Sequence, residues 1–359
     1  MNKDNIIRKV CVMWAFLFIT SLVCVAARKV EEPGSSPDFA FPKKVSADAR
    51  KQLYKAMSDK NGAVAIQALM QVVIADNLIS QENAGKGAAL IDSVAERLAE
   101  PYSSLAYLLE ARLYRDIYSA NSYRYNSRTI PSVPVPADVS EWSRDIFSNR
   151  VCGLVDRAFE SVSAAKGMSI ASIQDIVTNA EDATAAGQTV YDFMTIQGVA
   201  ALQPFSTDAP VTIPFYAGAG KGDRATERTA SGLIKRIVTD NESWHRSIGL
   251  TRSGAMMAGY RLGLTSGSKR EESLRKIIDE YKETPFCGGF IAGLGKYVAS
   301  SENKEYCDLY NLAKGYLDKY PECSDASSLE AMLKNMKAVW VSCTLPSQNL
   351  PGKEMKGSV

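Results

Sequence analysis

Apolar positions recur along this chain at three- and four-residue intervals, the period of a helix with one buried face. A cap at Ser46 leads into Leu53, Tyr54 and Met57. Ala65, Leu69, Val72 and Val73 continue the pattern, as do Leu90, Ile91, Val94 and Leu98, with Pro101 closing that segment. Leu105, Leu108, Leu109, Leu113 and Ile117 define the next stretch, where Ala106 and Ala111 are small enough for close helix packing. A longer helix, entered through Asp138 or Ser140, carries Trp142, Ile146, Phe147, Leu154, Val155, Ala158, Phe159 and Val162. A short helix is expected near 170–180 and another over 189–202. No strand alternation appears between residues 46 and 340. The one strand-like run, Thr129 to Pro136, contains Pro131, Pro134 and Pro136; proline lacks the ladder donor, so an extended loop is expected there. The fold class is therefore all-α, a helical hairpin array of tetratricopeptide-like or α-solenoid type without substantial β-sheet.

Punctuation divides the array. Residues 28–45, with Pro33, Gly34, Pro37 and Pro42, read as a linker, and 46–202 as an N-terminal helical subdomain. Residues 203–222 hold Pro204, Pro210, Pro214, Gly218, Gly220 and Gly222 and form the expected internal boundary. Residues 223–345 read as a helical-repeat subdomain and 346–359 as a tail. In the repeat region Asp279-Glu280-Tyr281 before Pro285 returns as Asp318-Lys319-Tyr320 before Pro321, which resembles the grammar of stacked helix pairs.

The first 27 residues stand apart. Lys3, Arg8 and Lys9 precede an uncharged stretch from Val10 to Ala27 that ends in Val25-Ala26-Ala27, the pattern of a secretory signal peptide. An uncleaved anchor is the alternative; lipidation at Cys24 is disfavoured by Val23, since that processing wants a small residue before the cysteine. The expected address is across the inner membrane, periplasmic or envelope-associated. Residues 1–27 hold three of the 42 basic and one of the 40 acidic side chains, so the remainder is balanced at 39 of each. Zero net charge argues against nucleic acid as a bulk partner.

Candidate chemistry is sparse. The only histidine, His245, excludes sites that need two imidazoles, and no G-x-S-x-G accompanies it. Cys152, Cys287, Cys307, Cys323 and Cys343 include no C-x-x-C pair, which argues against structural zinc and leaves one disulfide open. Gly218-Ala219-Gly220-Lys221-Gly222 lacks the hydroxyl residue that a phosphate loop places after its lysine. Cys287-Gly288-Gly289 could place a thiol at a helix start, although close packing accounts equally for the glycines. Asp138, Glu141, Asp145, Glu181 and Asp182 have no spacing that marks acid–base work. No catalytic, cofactor or metal residue is assigned. Tyr107, Tyr114 and Tyr118, spaced by seven and four, form one helical stripe and are the candidate binding surface, with packing between helices as the competing account.

Three ordered segments carry a family resemblance. Leu108-Leu109-Glu110-Ala111-Arg112-Leu113-Tyr114 is followed by Asp116-Ile117-Tyr118, Arg128-Thr129-Ile130-Pro131, Asp138 and Ser140-Glu141-Trp142. Thr189-Val190-Tyr191-Asp192-Phe193-Met194 is second and Asn349-Leu350-Pro351-Gly352-Lys353 third. Together, over roughly 46–355, they resemble the N-terminal helical region of bacterial alpha-2-macroglobulin-like proteins. The resemblance implies an exported protease-inhibitor family, with a protease or an envelope protein as partner. The chain lacks the family's Cys-Gly-Glu-Gln thioester motif, a bait region and the run of β-sandwich domains, and Val359 falls about where the first sandwich would begin. Protease trapping by this chain alone is therefore not expected. The expected function is non-enzymatic protein–protein contact, without a cofactor. A SusD-like nutrient-binding envelope protein is the alternative, and a hydrolase with an unrecognised site is a third.

Overall fold

The computed structural model describes residues 39–80, 84–128, 135–177, 180–206, 229–265, 269–298 and 303–344. The fold is all-α: among these residues there is no strand, only one isolated antiparallel bridge between Ser169 and Thr189. The signal-like segment, the Gly218–Gly222 run and the third resemblance segment lie outside the described residues. The chain divides into two compact units, Met1–Ser243 and Trp244–Val359.

In the first unit, α1 (Pro42–Ser58) packs along α2 (Gly62–Ile79), which also meets α3 (Ala84–Ala95) and α4 (Tyr102–Ala120). The first helix begins before the expected cap at Ser46, so 42–45 is not linker. Pro42 occupies the opening turn, where a missing N–H costs nothing. Ser46 faces inward, its hydroxyl donating to Asp76 on α2 at 2.6 Å, and Arg50 pairs with the same carboxylate. The α2 helix is long and apolar enough to span a membrane by composition, yet two thirds of it is buried, with Ala65, Ala68, Leu69, Val72 and Ala75 fully enclosed. It is a core helix. A Cβ at Gly62 would lie 2.1 Å from the Tyr102 ring, so the α2 start and the α4 start meet through a bare backbone.

The next segment enters later than its pattern implies. Asp138 caps a short 3-10 turn, Val139–Glu141, accepting from the Ser140 N–H at 2.8 Å, and α6 (Arg144–Ala158) starts only after Ser143. Between α4 and that turn lies α5 (Ser122–Asn126). After α7 (Ser163–Gly167) the expected helix near 170–180 is a kinked 3-10 segment, Ile170–Ile176, broken at Ile173, with α8 (Ala180–Ala185) beyond it. The α9 helix (Val190–Leu202) starts with a capping box: Thr189 accepts from the Asp192 N–H, and Asp192 accepts from the Thr189 N–H.

The expected boundary at 203–222 is not where the units part. Most of α10 (Ala230–Ile248) belongs to the first unit. Ile237 sits 3.1 Å from where a Gly198 side chain would start, Arg236 pairs with Asp156 at 2.6 Å, and Asn241 reaches α9. Proline- and glycine-rich sequence suggests a boundary, but buried contacts decide which unit a helix joins.

The second unit contains the end of α10, then α11 (Arg252–Leu264), α12 (Lys269–Tyr281), α13 (Gly288–Val298), α14 (Asn303–Lys319) and α15 (Ala326–Thr344). Consecutive helices from α11 onward pack on one another, and α13 also meets α15. Tyr281 of α12 points its hydroxyl at Gly254, in the first turn of α11. Tyr316 of α14 donates to the Thr284 carbonyl at 2.9 Å and accepts from the Cys287 N–H at 2.9 Å, just ahead of α13. Tyr316, not Tyr320, therefore matches Tyr281 in place; Tyr320 instead bonds the Glu283 carbonyl.

Filling the α2–α4 contact should be costly. Gly62→Ala is expected to lower stability by about 1–3 kcal/mol, read by urea denaturation, and Tyr102→Ala in the same chain should return part of the loss relative to Tyr102→Ala alone.

Candidate functional site

The tyrosine stripe lies on α4, where positions seven and four apart share a face. That face points inward. Tyr107, Tyr114 and Tyr118 are 4%, 6% and 4% exposed, so the expected binding surface is core. Tyr114 stacks on Trp142 at 5.1 Å between ring centres, Tyr118 lies 4.7 Å from Phe205, and Tyr125 lies 4.8 Å from Phe147. Phe147 of α6 touches Tyr114, Tyr118, Tyr125 and Trp142. The polar ends are satisfied internally or from the side: the Tyr118 hydroxyl donates to Asn126 at 2.8 Å, the Trp142 indole donates to the Pro136 carbonyl, and the Arg157 guanidinium lies 4.3 Å above the Tyr107 ring. Aromatic bodies bury large areas while their polar ends seek partners, which is why an aromatic stripe on an amphipathic helix turns toward the core.

The same face carries a residue that the aromatic pattern overshadows. Glu110 lies between Tyr107 and Tyr114 at spacings of three and four and is fully buried. Arg150 of α6 donates to its Oε1 at 2.6 Å, while Oε2 has no hydrogen-bond partner among the described residues. Burial pushes the Glu110 carboxyl up to about 7, against the pull of Arg150. Asp92 on α3 lies 4.0 Å from both Arg150 and Arg157, and Arg157 also approaches Glu96. This α3–α4–α6 group is a structural network built around Glu110. A charge at a position whose helical neighbours are all apolar was the available signal for it.

Other buried polar groups hold helices together. Asn241 donates to Asp192 at 3.0 Å and to Thr195 at 3.1 Å, all three essentially inaccessible. Arg112 is half-buried and donates to Gln197, which joins α4 to α9. Asp145 lies in the first turn of α6, and Glu181 and Asp182 lie in that of α8, where carboxylates complement the helix dipole.

The remaining sequence candidates are also inside. His245 is 2% exposed and shares a hydrogen bond with the Thr251 hydroxyl at 3.1 Å; its Cβ lies 3.0 Å from where a Gly254 side chain would begin. Cys287 is fully buried, its thiol held against the Ile278 carbonyl, and burial pushes it up to about 12. A thiol at a helix start becomes a nucleophile when the dipole outweighs desolvation; here desolvation wins. Tyr316 takes the amide of Cys287 and that of Gly288, so these first amides of α13 are occupied. No disulfide joins Cys152, Cys287, Cys307 and Cys323 to one another. Among the described residues no group of three or more His, Cys, Asp and Glu could hold a metal ion.

The second unit exposes a few large apolar side chains among its charged ones. Met256 and Leu264 are 42% and 39% exposed on α11, with half-buried Tyr260 between them at four-residue spacing. Ile248 and Tyr297 are exposed as well. Contiguous exposed apolar side chains are the usual mark of a contact surface.

Glu110 should make stability depend on pH. A carboxyl whose pKa is higher folded than unfolded binds more protons in the folded state, so stability is greatest below about 4.5 and falls as pH rises through about 7. Thermal unfolding from pH 5 to 8 should show a falling Tm, and Glu110→Gln should flatten that slope. The stripe's burial is tested by Tyr114→Ala, expected to cost about 3–5 kcal/mol, as for other truncated core aromatics. No protein-family profile matches this chain, and neither a curated protein nor a solved structure matches it.

Proposed function

We propose that the chain is a non-enzymatic, exported helical scaffold for protein–protein contact, with its contact surface on the second unit. The observation that carries this reading is the repeated seating of a tyrosine on the start of an earlier helix. Tyr281 meets Gly254 and Tyr316 meets Cys287-Gly288, with the tyrosines 35 and the glycines 34 residues apart. That spacing is close to the period of about 34 residues of tetratricopeptide-type repeats. Stacked helix pairs of this kind present extended surfaces that suit protein partners.

The exposed Met256–Tyr260–Leu264 line on α11 replaces the tyrosine stripe as the contact surface of this reading. The described residue segments that resemble the N-terminal region of bacterial alpha-2-macroglobulins fall on α4, the 3-10 turn at Val139–Glu141 and the start of α9, and such a region works beside an envelope protein or a protease. Export rests on the Lys3–Ala27 pattern.

A photo-crosslinking amino acid placed at Met256 or Leu264, in cells producing the full chain, should yield one discrete adduct of higher mass. The same probe at Lys276, on the solvated side of α12, should yield none. Equal labelling at all three positions, or no adduct at the first two, refutes the proposed surface.

A further inference from the structure

The outer side of α1 is the most strongly basic helix face among the described residues that is also flanked by exposed aromatics. Its buried residues are Val45, Ser46, Ala49, Leu53 and Ala56. At 3.6 residues per turn, Lys43, Lys44, Lys51, Tyr54 and Lys55 fall within an arc of about 120° on the opposite side. All five are exposed, Tyr54 to 63%, and so is Lys60 just past the helix. Phe41 precedes the helix at 64% exposure. Residues 41–60 hold six basic side chains against Asp48 and Asp59, in a chain whose formal net charge is only +2. Arg50 is neutralised by Asp76 and Lys51 lies 3.7 Å from Asp48, but Lys43, Lys44, Lys55 and Lys60 have no ion pair among the described residues.

We propose that this face of α1 docks on an anionic lipid surface, with the lysines at the headgroups and Phe41 and Tyr54 entering the interface. Two features favour a bilayer over another anion. The chain reaches α1 from residues 1–38, whose Val10–Ala27 stretch is uncharged and apolar, so while that stretch is attached during export this is the face nearest in sequence to the membrane. From Ala27 to Phe41 the chain can span at most about 50 Å, so the face stays within reach of any bilayer that holds that stretch. The pairing of lysines with exposed aromatic rings also matches the interface, where charge meets headgroups and rings sit at headgroup level. A polybasic face gains about 1 kcal/mol, or roughly fivefold in affinity, per lysine at an anionic surface, and the gain fades within a Debye length. The inference is independent of the contact surface proposed on the second unit.

The test is co-sedimentation of the full chain with vesicles of phosphatidylcholine alone or mixed with phosphatidylglycerol, at low and high salt. Lys3, Arg8 and Lys9 beside the apolar N-terminal stretch add a headgroup preference of their own, so the two lysine variants, compared with wild type, isolate the α1 face. Wild type should prefer the phosphatidylglycerol vesicles at least tenfold, and salt should erase the preference. Lys43→Gln, Lys44→Gln, Lys51→Gln and Lys55→Gln together should lower it at least fivefold with unchanged circular dichroism and Tm. The equal charge change at Lys269, Lys304, Lys314 and Lys334, all outside this face, should leave it. Phe41→Ser with Tyr54→Ser should weaken binding to the anionic vesicles several-fold. Indifference to headgroup, or equal loss in the second lysine set, overturns the proposal. So does soluble polyglutamate binding as tightly as vesicles with the aromatic variant unaffected, which would make the face a site for acidic polymers or proteins.

Discussion

The first unit depends on one ring. Phe147 of α6, without solvent exposure, touches Tyr114 and Tyr118 of α4, Tyr125 of α5 and Trp142 from the 3-10 turn. Phe205, after α9, joins through Tyr118. Five separate segments are thereby fixed against one another by aromatic contact, whose energy grows with buried area and with edge-to-face geometry. Once these rings are enclosed, the orientation of α4 is set, and everything else on its inner face is buried with them.

Glu110 follows from that constraint. Its place on the aromatic face drags a carboxylate into the core, and Arg150 comes with it from α6. A buried ion pair rarely adds stability over apolar packing, because desolvation offsets the attraction, but removing one partner is costly. The unpartnered Oε2 and the raised pKa are the two signs that desolvation prevails here. The Asp192–Asn241–Thr195 group solves the same problem differently. A capping-box carboxylate that must be buried is given a side-chain amide from α10, which ties that helix to the first unit.

The second unit is built on an apolar core that runs from α11 to α15, and hydroxyl and amide contacts fix its helix starts. Tyr316 satisfies the amides of Cys287 and Gly288 and returns its proton to Thr284, so the turn into α13 is closed by a side chain from the following helix pair. Glycine at 254 and 288 makes room for close packing: a Cβ at either would meet a neighbouring side chain at 3.0 Å. This architecture leaves the helices' outer sides free to vary, and the apolar side chains exposed there, with the lysine face of α1 in the other unit, are the surfaces from which function is inferred.

Helical period, cap chemistry and proline placement are local properties, and they determined the all-α class, the helix over 189–202 and the tyrosine register of α4 from the sequence alone. Local signals could not say which side of an aromatic stripe faces in, because packing between helices and a partner groove use the same spacing. Neither could they say that Pro42 opens a helix in place of Ser46, that α10 joins the first unit, or that Tyr316 is the counterpart of Tyr281. Each of these turned on a contact between residues far apart in the chain: Ser46 with Asp76, Ile237 with Gly198, Tyr316 with Cys287. The sequence set which faces are apolar; only tertiary packing decided which of them are covered, since burial depends on neighbours that no local pattern specifies.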